Sequence, residues 1–141
     1  MAMALLPQSR KNMASADTNV LLRWVVDDIP AQTKAAAKLL KGAEVVHVAD
    51  AAIIEMVYVL EKVYGFSREI ITEYTQAVMS LSQVNCNRTL FARVLPIYVK
   101  NRTLSIVDCS LAVYAEIDET TPLYTFDKQL SKKLASTKEL V

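Results

Sequence analysis

The sequence has few of the residues that build long loops, disulfide frameworks or histidine-based catalytic centres. Its 141 residues include two glycines, four prolines, two cysteines and one histidine. Few glycines and prolines argue against long linkers and low-complexity segments. Cys86 and Cys109 lack the short spacing of a zinc site or a redox motif, so we interpret both as buried thiols.

Neither net charge nor long apolar runs indicate a particular partner. The formal net charge is only +1, so a contact with nucleic acid must come from a local basic patch or from a metal ion. No apolar run reaches the about 18 residues that a membrane span requires, and no secretion signal is present. We therefore expect a cytoplasmic protein with no membrane segment.

Length and composition predict one compact domain. A hydrophobic content of 52% with 22% charged residues fits a globule, and a chain of this size buries roughly two-thirds of its unfolded surface. We assign residues 13–141 to this domain. Residues 1–12 form an N-terminal extension that is either native or left from cloning.

Strand and helix patterns alternate along residues 13–141. Strands are predicted at 13–16, 45–48, 83–85, 122–126 and 139–141. Helices are predicted over 20–26, 31–41, 51–64 and 68–81, from Asn87 with a break or kink at Pro96, from Ser105, and over 128–134. This alternation predicts a three-layer α/β/α sandwich around a central, mostly parallel sheet of four to five strands.

Four acidic residues are candidates for one site. Asp17 and Asp127 directly follow predicted strands, and parallel strands end at the same edge of a sheet, where such folds bind ligands. Asp108 lies in a first helical turn and Glu55 about one and a half turns into its helix, so both can point toward that edge.

Glu55 gives the strongest signal of the four, because each of the others can also be explained as a helix cap. Its helix is apolar on every other face, and a buried carboxylate is costly unless it is paired, protonated or bound to a metal. The alternative is a salt bridge to Arg23 or Arg93. His47 we interpret as a strand histidine with a structural hydrogen bond.

Carboxylates gathered in apolar surroundings require a cation between them. Oxygen ligands without histidine or cysteine suit Mg²⁺ or Mn²⁺ rather than zinc. Such an ion activates water for attack on a phosphodiester. The four acids therefore predict a metal site with the mechanism of a nuclease.

Four segments, in this order and spacing, resemble the motifs of a PIN domain. They are residues 17–22 (DTNVLL), Glu55 in its apolar helix, residues 108–115 (DCSLAVYA) and residues 125–128 (TFDK). The resemblance covers about residues 13–141. The chain is especially similar to the VapC-type toxins of prokaryotic toxin–antitoxin pairs.

The resemblance implies a Mg²⁺-dependent endoribonuclease in which Asp17, Asp108 and Asp127 surround the metal. It also implies that Glu55 completes the shell through water or helps to activate the attacking water.

The same resemblance assigns supporting roles and partners. Asn19 and Thr125 would hold the carboxylates in place, and Lys128 and Lys132 would meet RNA phosphates. The implied partners are an RNA substrate, a second copy in a homodimer, and a cognate antitoxin whose tail enters the acidic groove, with larger toxin–antitoxin assemblies as a further form.

Two other functions are weighed against this one. A phosphatase of the haloacid-dehalogenase type needs a second acid where Asn19 stands, which disfavours it. A non-catalytic module, either a receiver-like domain or a PIN-like domain that only binds RNA or protein, is the main alternative. Receivers usually carry adjacent acids after the first strand, whereas Asp17 stands alone.

Overall fold

The computed structural model describes residues 13–141, and the prediction for residues 1–12 lies outside them. The described residues form five strands: β1 (Met13–Ser15), β2 (Val45–His47), β3 (Val84–Asn85), β4 (Leu123–Thr125) and β5 (Thr137–Glu139). They also form seven helices: α1 (Thr18–Val26), α2 (Pro30–Leu40), α3 (Asp50–Lys62), α4 (Arg68–Ser80), α5 (Arg88–Lys100), α6 (Ile106–Ile117) and α7 (Lys128–Lys133).

The predicted α/β class is confirmed. Each strand pair is parallel, and the strands divide into a three-stranded sheet, β1-β2-β3, and a two-stranded sheet, β4-β5. Within its described residues the chain forms two compact units, one of residues 13–56 and 73–86 and one of residues 57–72 and 87–141. None of the helices in this part of the chain is long and apolar enough to cross a membrane.

The first unit contains the three-stranded sheet. Met13 pairs with Val45, and Val46 pairs with Val84. The apolar core includes Leu21, Leu22, Leu40, Val46, Val48, Ile53, Met56, Val78 and Val84. The first strand is not buried, since Met13 is 46% exposed. As an edge strand, β1 pairs on one side only, and burial begins at Ala16.

Helix α2 begins without a side-chain cap, although Asp28 lies just before it. Ile29 occupies the N-cap position without a side-chain hydrogen bond, and Pro30 begins the helix. Asp28 instead pairs with Arg23. A proline at the first helical position has the required φ and no N–H to satisfy, so α2 can begin without a side-chain cap.

The second unit contains the two-stranded sheet and α5 to α7. Its buried residues include Leu90, Phe91, Val94, Leu95, Tyr98, Leu104, Ile106, Cys109, Ala112 and Val113. Of the break or kink predicted at Pro96, the break is absent, because α5 is continuous from Arg88 to Lys100. Pro96 lies on the exposed side of the helix, where water can satisfy the carbonyl that its missing N–H leaves without a partner.

The two cysteines differ in burial. Cys109 is fully buried, as predicted, and burial raises the pKa of its thiol to about 11. Cys86 is only half-buried, so its prediction as a buried thiol is wrong. It directly follows β3, the short edge strand of its sheet, which limits its burial.

Arg68 is the main buried charge of the second unit. Its guanidinium donates to the carbonyls of Tyr98 at 2.7 Å and Asn101 at 3.1 Å, and to Oε2 of Glu61 at 3.1 Å. It also lies 4.0 Å from the centroid of the Tyr98 ring. The Tyr98 hydroxyl donates to Oε1 of Glu61 at 2.6 Å. These contacts join α3, α4 and α5 through one charged group.

Glu61 makes this arrangement sensitive to pH. Burial alone would raise the pKa of Glu61, but the hydrogen bonds from Tyr98 and Arg68 outweigh it and hold that pKa below its ordinary value of 4.5. A carboxyl whose pKa is lower in the folded state stabilises the fold above its ordinary pKa, and this contribution is lost as the pH falls.

We therefore expect Glu61→Gln to lower the free energy of unfolding more at pH 7 than at pH 4. Urea unfolding of both proteins at the two pH values measures the difference. A cost that is the same at both pH values would contradict a Glu61 pKa that folding lowers.

Candidate functional site

Asp17 begins α1 at the end of β1. Its Oδ1 accepts a hydrogen bond from the backbone N–H of Val20 at 3.2 Å, as an N-cap does. The next residue, Thr18, is buried and donates from Oγ1 to the carbonyl of Ala52 at 3.4 Å. Since Ala52 precedes Glu55 by one turn of α3, this contact ties the start of α1 to the helix that carries Glu55.

Glu55 is exposed, so the prediction that it is a buried carboxylate is wrong. The buried side of α3 is formed by Ile53, Met56, Val57 and Leu60. A second stripe, at helical intervals, faces solvent and consists of Ala51, Glu55, Tyr58 and Lys62. Ala51 and Tyr58 are apolar residues, which suggested a buried face, but both are exposed. The proposed partners Arg23 and Arg93 pair instead with Asp28 and Glu116.

Asp108 lies in the first turn of α6 and is half-buried. Its backbone N–H donates to Oγ of Ser105 at 3.0 Å, which is the predicted helix cap. The carboxylate itself takes no part in that bond. The cap therefore fixes the backbone of Asp108 while its side chain stays available to a ligand.

Asp127 begins α7 directly after β4. Its Oδ1 accepts from the backbone N–H groups of Gln129 at 2.8 Å and Leu130 at 3.1 Å. Thr125 Oγ1 accepts from the backbone N–H of Asp127 at 2.9 Å. Thr125 thus holds the backbone of Asp127 rather than its carboxylate, which refines the predicted supporting role.

Asp17 and Asp127 share one chemical property. Both are exposed, and both use Oδ1 for capping, which leaves Oδ2 without a hydrogen bond in the part of the chain that the structure describes. Free carboxylate oxygens are ligands suited to Mg²⁺ or Mn²⁺, so the donor chemistry fits a hard divalent cation.

The acids divide evenly between the two units. Asp17 and Glu55 belong to the first, and Asp108 and Asp127 belong to the second. Among residues 13–141, no group of three or more histidine, cysteine, aspartate or glutamate side chains forms a metal-binding cluster. The gathering of these four acids around one ion therefore stays a prediction.

The remaining candidates are all at the surface. Asn19 is exposed and lines a groove of about 330 Å³ between α1 and α2. Lys128 and Lys132 are exposed on α7, and His47 is exposed on β2.

Two aromatic residues beside Asp127 do not stand out in the sequence from other strand residues. The structure leaves the side chain of Tyr124 56% exposed and that of Phe126 77% exposed. Their spacing of two along a strand that leads to an acid is the one local signal that could have identified them.

Comparison with known protein families gives one match. The PIN domain family matches residues 16–134, more than four-fifths of the chain, and this range includes all four acids. Comparison with curated proteins gives no match.

Proposed function

Because the chain belongs to the PIN domain family, we propose that it is an endoribonuclease that hydrolyses RNA phosphodiester bonds with a divalent metal ion. PIN domains are in general metal-dependent nucleases, so membership supports the reaction class. The preference for RNA, the choice of Mg²⁺ or Mn²⁺ and the residue roles are the finer parts of the proposal.

The observation that carries the proposal is the local setting of the acids. Asp17 and Asp127 each stand at a helix start with one carboxylate oxygen fixed by backbone N–H groups and the other free. A carboxylate fixed in this way is already oriented before a ligand arrives, which lowers the entropic cost of binding. Together with Asp108, these residues would hold the cation.

The bound cation would supply positive charge against the phosphate and would lower the pKa of a water molecule. Glu55, exposed on α3, would accept the proton that the attacking water loses. One new P–O bond forms from that water, one P–O ester bond breaks, and the leaving oxygen takes a proton from solvent. Lys128 and Lys132, exposed on α7, would contact phosphates on either side of the broken bond.

For the biological role, we propose a cytoplasmic VapC-type toxin that forms a homodimer and is inhibited by an antitoxin. The support is the resemblance of the motifs to that group. The discriminating observation is the neighbouring reading frame, which should encode a short protein with a DNA-binding fold and an arginine-containing tail. A gene that stands without such a neighbour would argue for an RNA-processing nuclease instead.

A non-catalytic PIN-like module is the second candidate. Helix capping explains why Asp17 and Asp127 are acidic without any metal ion, and solvent exposure explains how Glu55 can be charged without a partner. In that case the chain would bind RNA or protein and hydrolyse nothing.

Thermal melting separates the two candidates. A ligand present at ten times its dissociation constant adds about 1.4 kcal/mol to the free energy of unfolding. We expect saturating Mg²⁺ or Mn²⁺ to raise the melting temperature of the wild-type protein and to have little effect on Asp17→Asn. The absence of a shift with either ion would favour the non-catalytic module.

A further inference from the structure

The two-stranded sheet has one face that is exposed and aromatic. Along β4 and the residue after it, Leu123 and Thr125 are half-buried, whereas Tyr124 and Phe126 are 56% and 77% exposed. This alternation is the period of two expected of a strand with one face in solvent.

The pairing of β4 with β5 brings residues of the second strand to the same face. Tyr124 lies opposite Lys138 in the parallel register. The backbone N–H of Leu140 donates to the carbonyl of Thr125 at 2.7 Å, as part of the last pair of the ladder, Thr125 with Glu139. Phe126 and Leu140 are the residues that follow this last pair on the two strands. We call the set Tyr124, Phe126, Lys138 and Leu140 the aromatic face.

The charge around the aromatic face differs from that of the whole chain. Residues 123–141 contain four lysines and only two acidic residues, whereas the rest of the chain has one more acidic residue than basic ones. All four lysines, Lys128, Lys132, Lys133 and Lys138, are exposed. This segment is a local basic patch, although the net charge of the whole chain is only +1.

Exposed aromatic rings beside lysines are the combination that binds single-stranded nucleic acid. Any of the four bases can stack on an aromatic ring, and the lysines neutralise the charge of the phosphates. A protein partner would also cover the rings, but the excess of positive charge favours a polyanion. A duplex would not suit the face, since its bases already stack on one another.

The aromatic face also continues directly into the candidate site. Phe126 is adjacent in sequence to Asp127, and neighbouring Cα atoms are about 3.8 Å apart. RNA bound on the aromatic face would therefore lie beside one residue of the candidate site in the chain.

We propose that the aromatic face binds single-stranded RNA, with bases stacked on Phe126 and Tyr124 and phosphates on Lys138 and Lys128. The proposal rests on the proposed function, because it names the surface on which that nuclease holds its RNA. It extends that function by placing two aromatic residues and Lys138 in contact with the substrate.

The test measures binding without cleavage. Fluorescence anisotropy with a labelled single-stranded oligoribonucleotide in EDTA gives the dissociation constants of the wild type, Tyr124→Leu and Phe126→Leu. We expect each leucine variant to bind about tenfold more weakly, because leucine keeps the apolar area but loses the stacking surface. Phe126→Tyr, which keeps a ring, should bind like the wild type.

Two controls make the test specific. Tyr58→Leu removes another exposed aromatic side chain, from α3, and should leave affinity unchanged. An RNA duplex of the same length should bind the wild type more weakly than the single strand. Oligomers carrying 2-aminopurine report stacking in the unchanged protein, where we expect quenching on binding, so the test holds even if a variant fails to fold.

The outcomes distinguish this proposal from the function on which it rests. Suppose that the wild-type protein cleaves RNA with Mg²⁺. If the folded leucine variants then bind RNA as tightly as the wild type, or if 2-aminopurine is not quenched, the aromatic face is not the RNA site, but the proposed nuclease activity is unaffected. If the wild type neither binds nor cleaves any RNA, both proposals fail.

Discussion

Asp17→Asn should reduce the rate of RNA cleavage by at least about a hundredfold, while the free energy of unfolding stays close to that of the wild type. The asparagine side chain keeps an oxygen that can accept the Val20 N–H, so the cap survives. It lacks the negative charge that a divalent cation requires, so metal affinity and activity should fall together. Cleavage of a labelled RNA under single-turnover conditions measures the effect.

The same chain provides a matched control. Asp27 ends the helix that Asp17 begins, is exposed, and has φ of 57°, a conformation that asparagine also tolerates. Asp27→Asn therefore removes the same charge from the other end of α1 and should cleave at the wild-type rate. Wild-type cleavage by Asp17→Asn would remove Asp17 from the metal site.

The largest effect on stability should come from Arg68→Ala. Only 7% of the Arg68 side chain is exposed, and its loss removes the Arg68 donor from Oε2 of Glu61 and from the carbonyls of Tyr98 and Asn101. Breaking a buried ion pair by removing one partner costs about 3–5 kcal/mol. That is a large fraction of the roughly 5–15 kcal/mol by which domains are stable.

Arg102→Ala is the matched control for Arg68→Ala. Arg102 pairs with Glu69 at 2.8 Å, but the two side chains are 64% and 53% exposed. Exposed pairs contribute at most about 1 kcal/mol, so Arg102→Ala should unfold nearly like the wild type. Urea titrations of both variants measure the two costs. Equal costs would mean that burial of Arg68 does not matter to stability.

Local signals in the sequence predicted much of the fold. Ser67, Asn87, Ser105 and Asp127 each accept a backbone N–H at the start of the helix that follows them. A cap depends on a side chain and on residues two or three positions later, so sequence neighbours suffice to identify it. Asp28 does not act as such a cap, since Pro30 begins α2 without one.

Burial and distant contacts were harder to predict. Glu55 belongs to an exposed stripe because Ala51 and Tyr58, although apolar, face solvent beside it. Periodicity describes the faces of a helix but not which face another element covers. Arg68 meets Tyr98 across 30 residues of sequence, and no local pattern identifies that partner. Position after a strand or at a helix start identified Asp17, Asp108 and Asp127, whereas Glu55 was identified from the apolar helix around it.

The central claim is that carboxylates of this chain use a divalent cation to hydrolyse RNA. The most direct measurement is cleavage of a single-stranded RNA by the purified protein, first with Mg²⁺, then after chelation with EDTA, and then after Mg²⁺ or Mn²⁺ is restored. Cleavage that stops on chelation and returns with the ion is the predicted result. Cleavage that continues in EDTA, or that is absent for several RNAs with both ions, would contradict the claim.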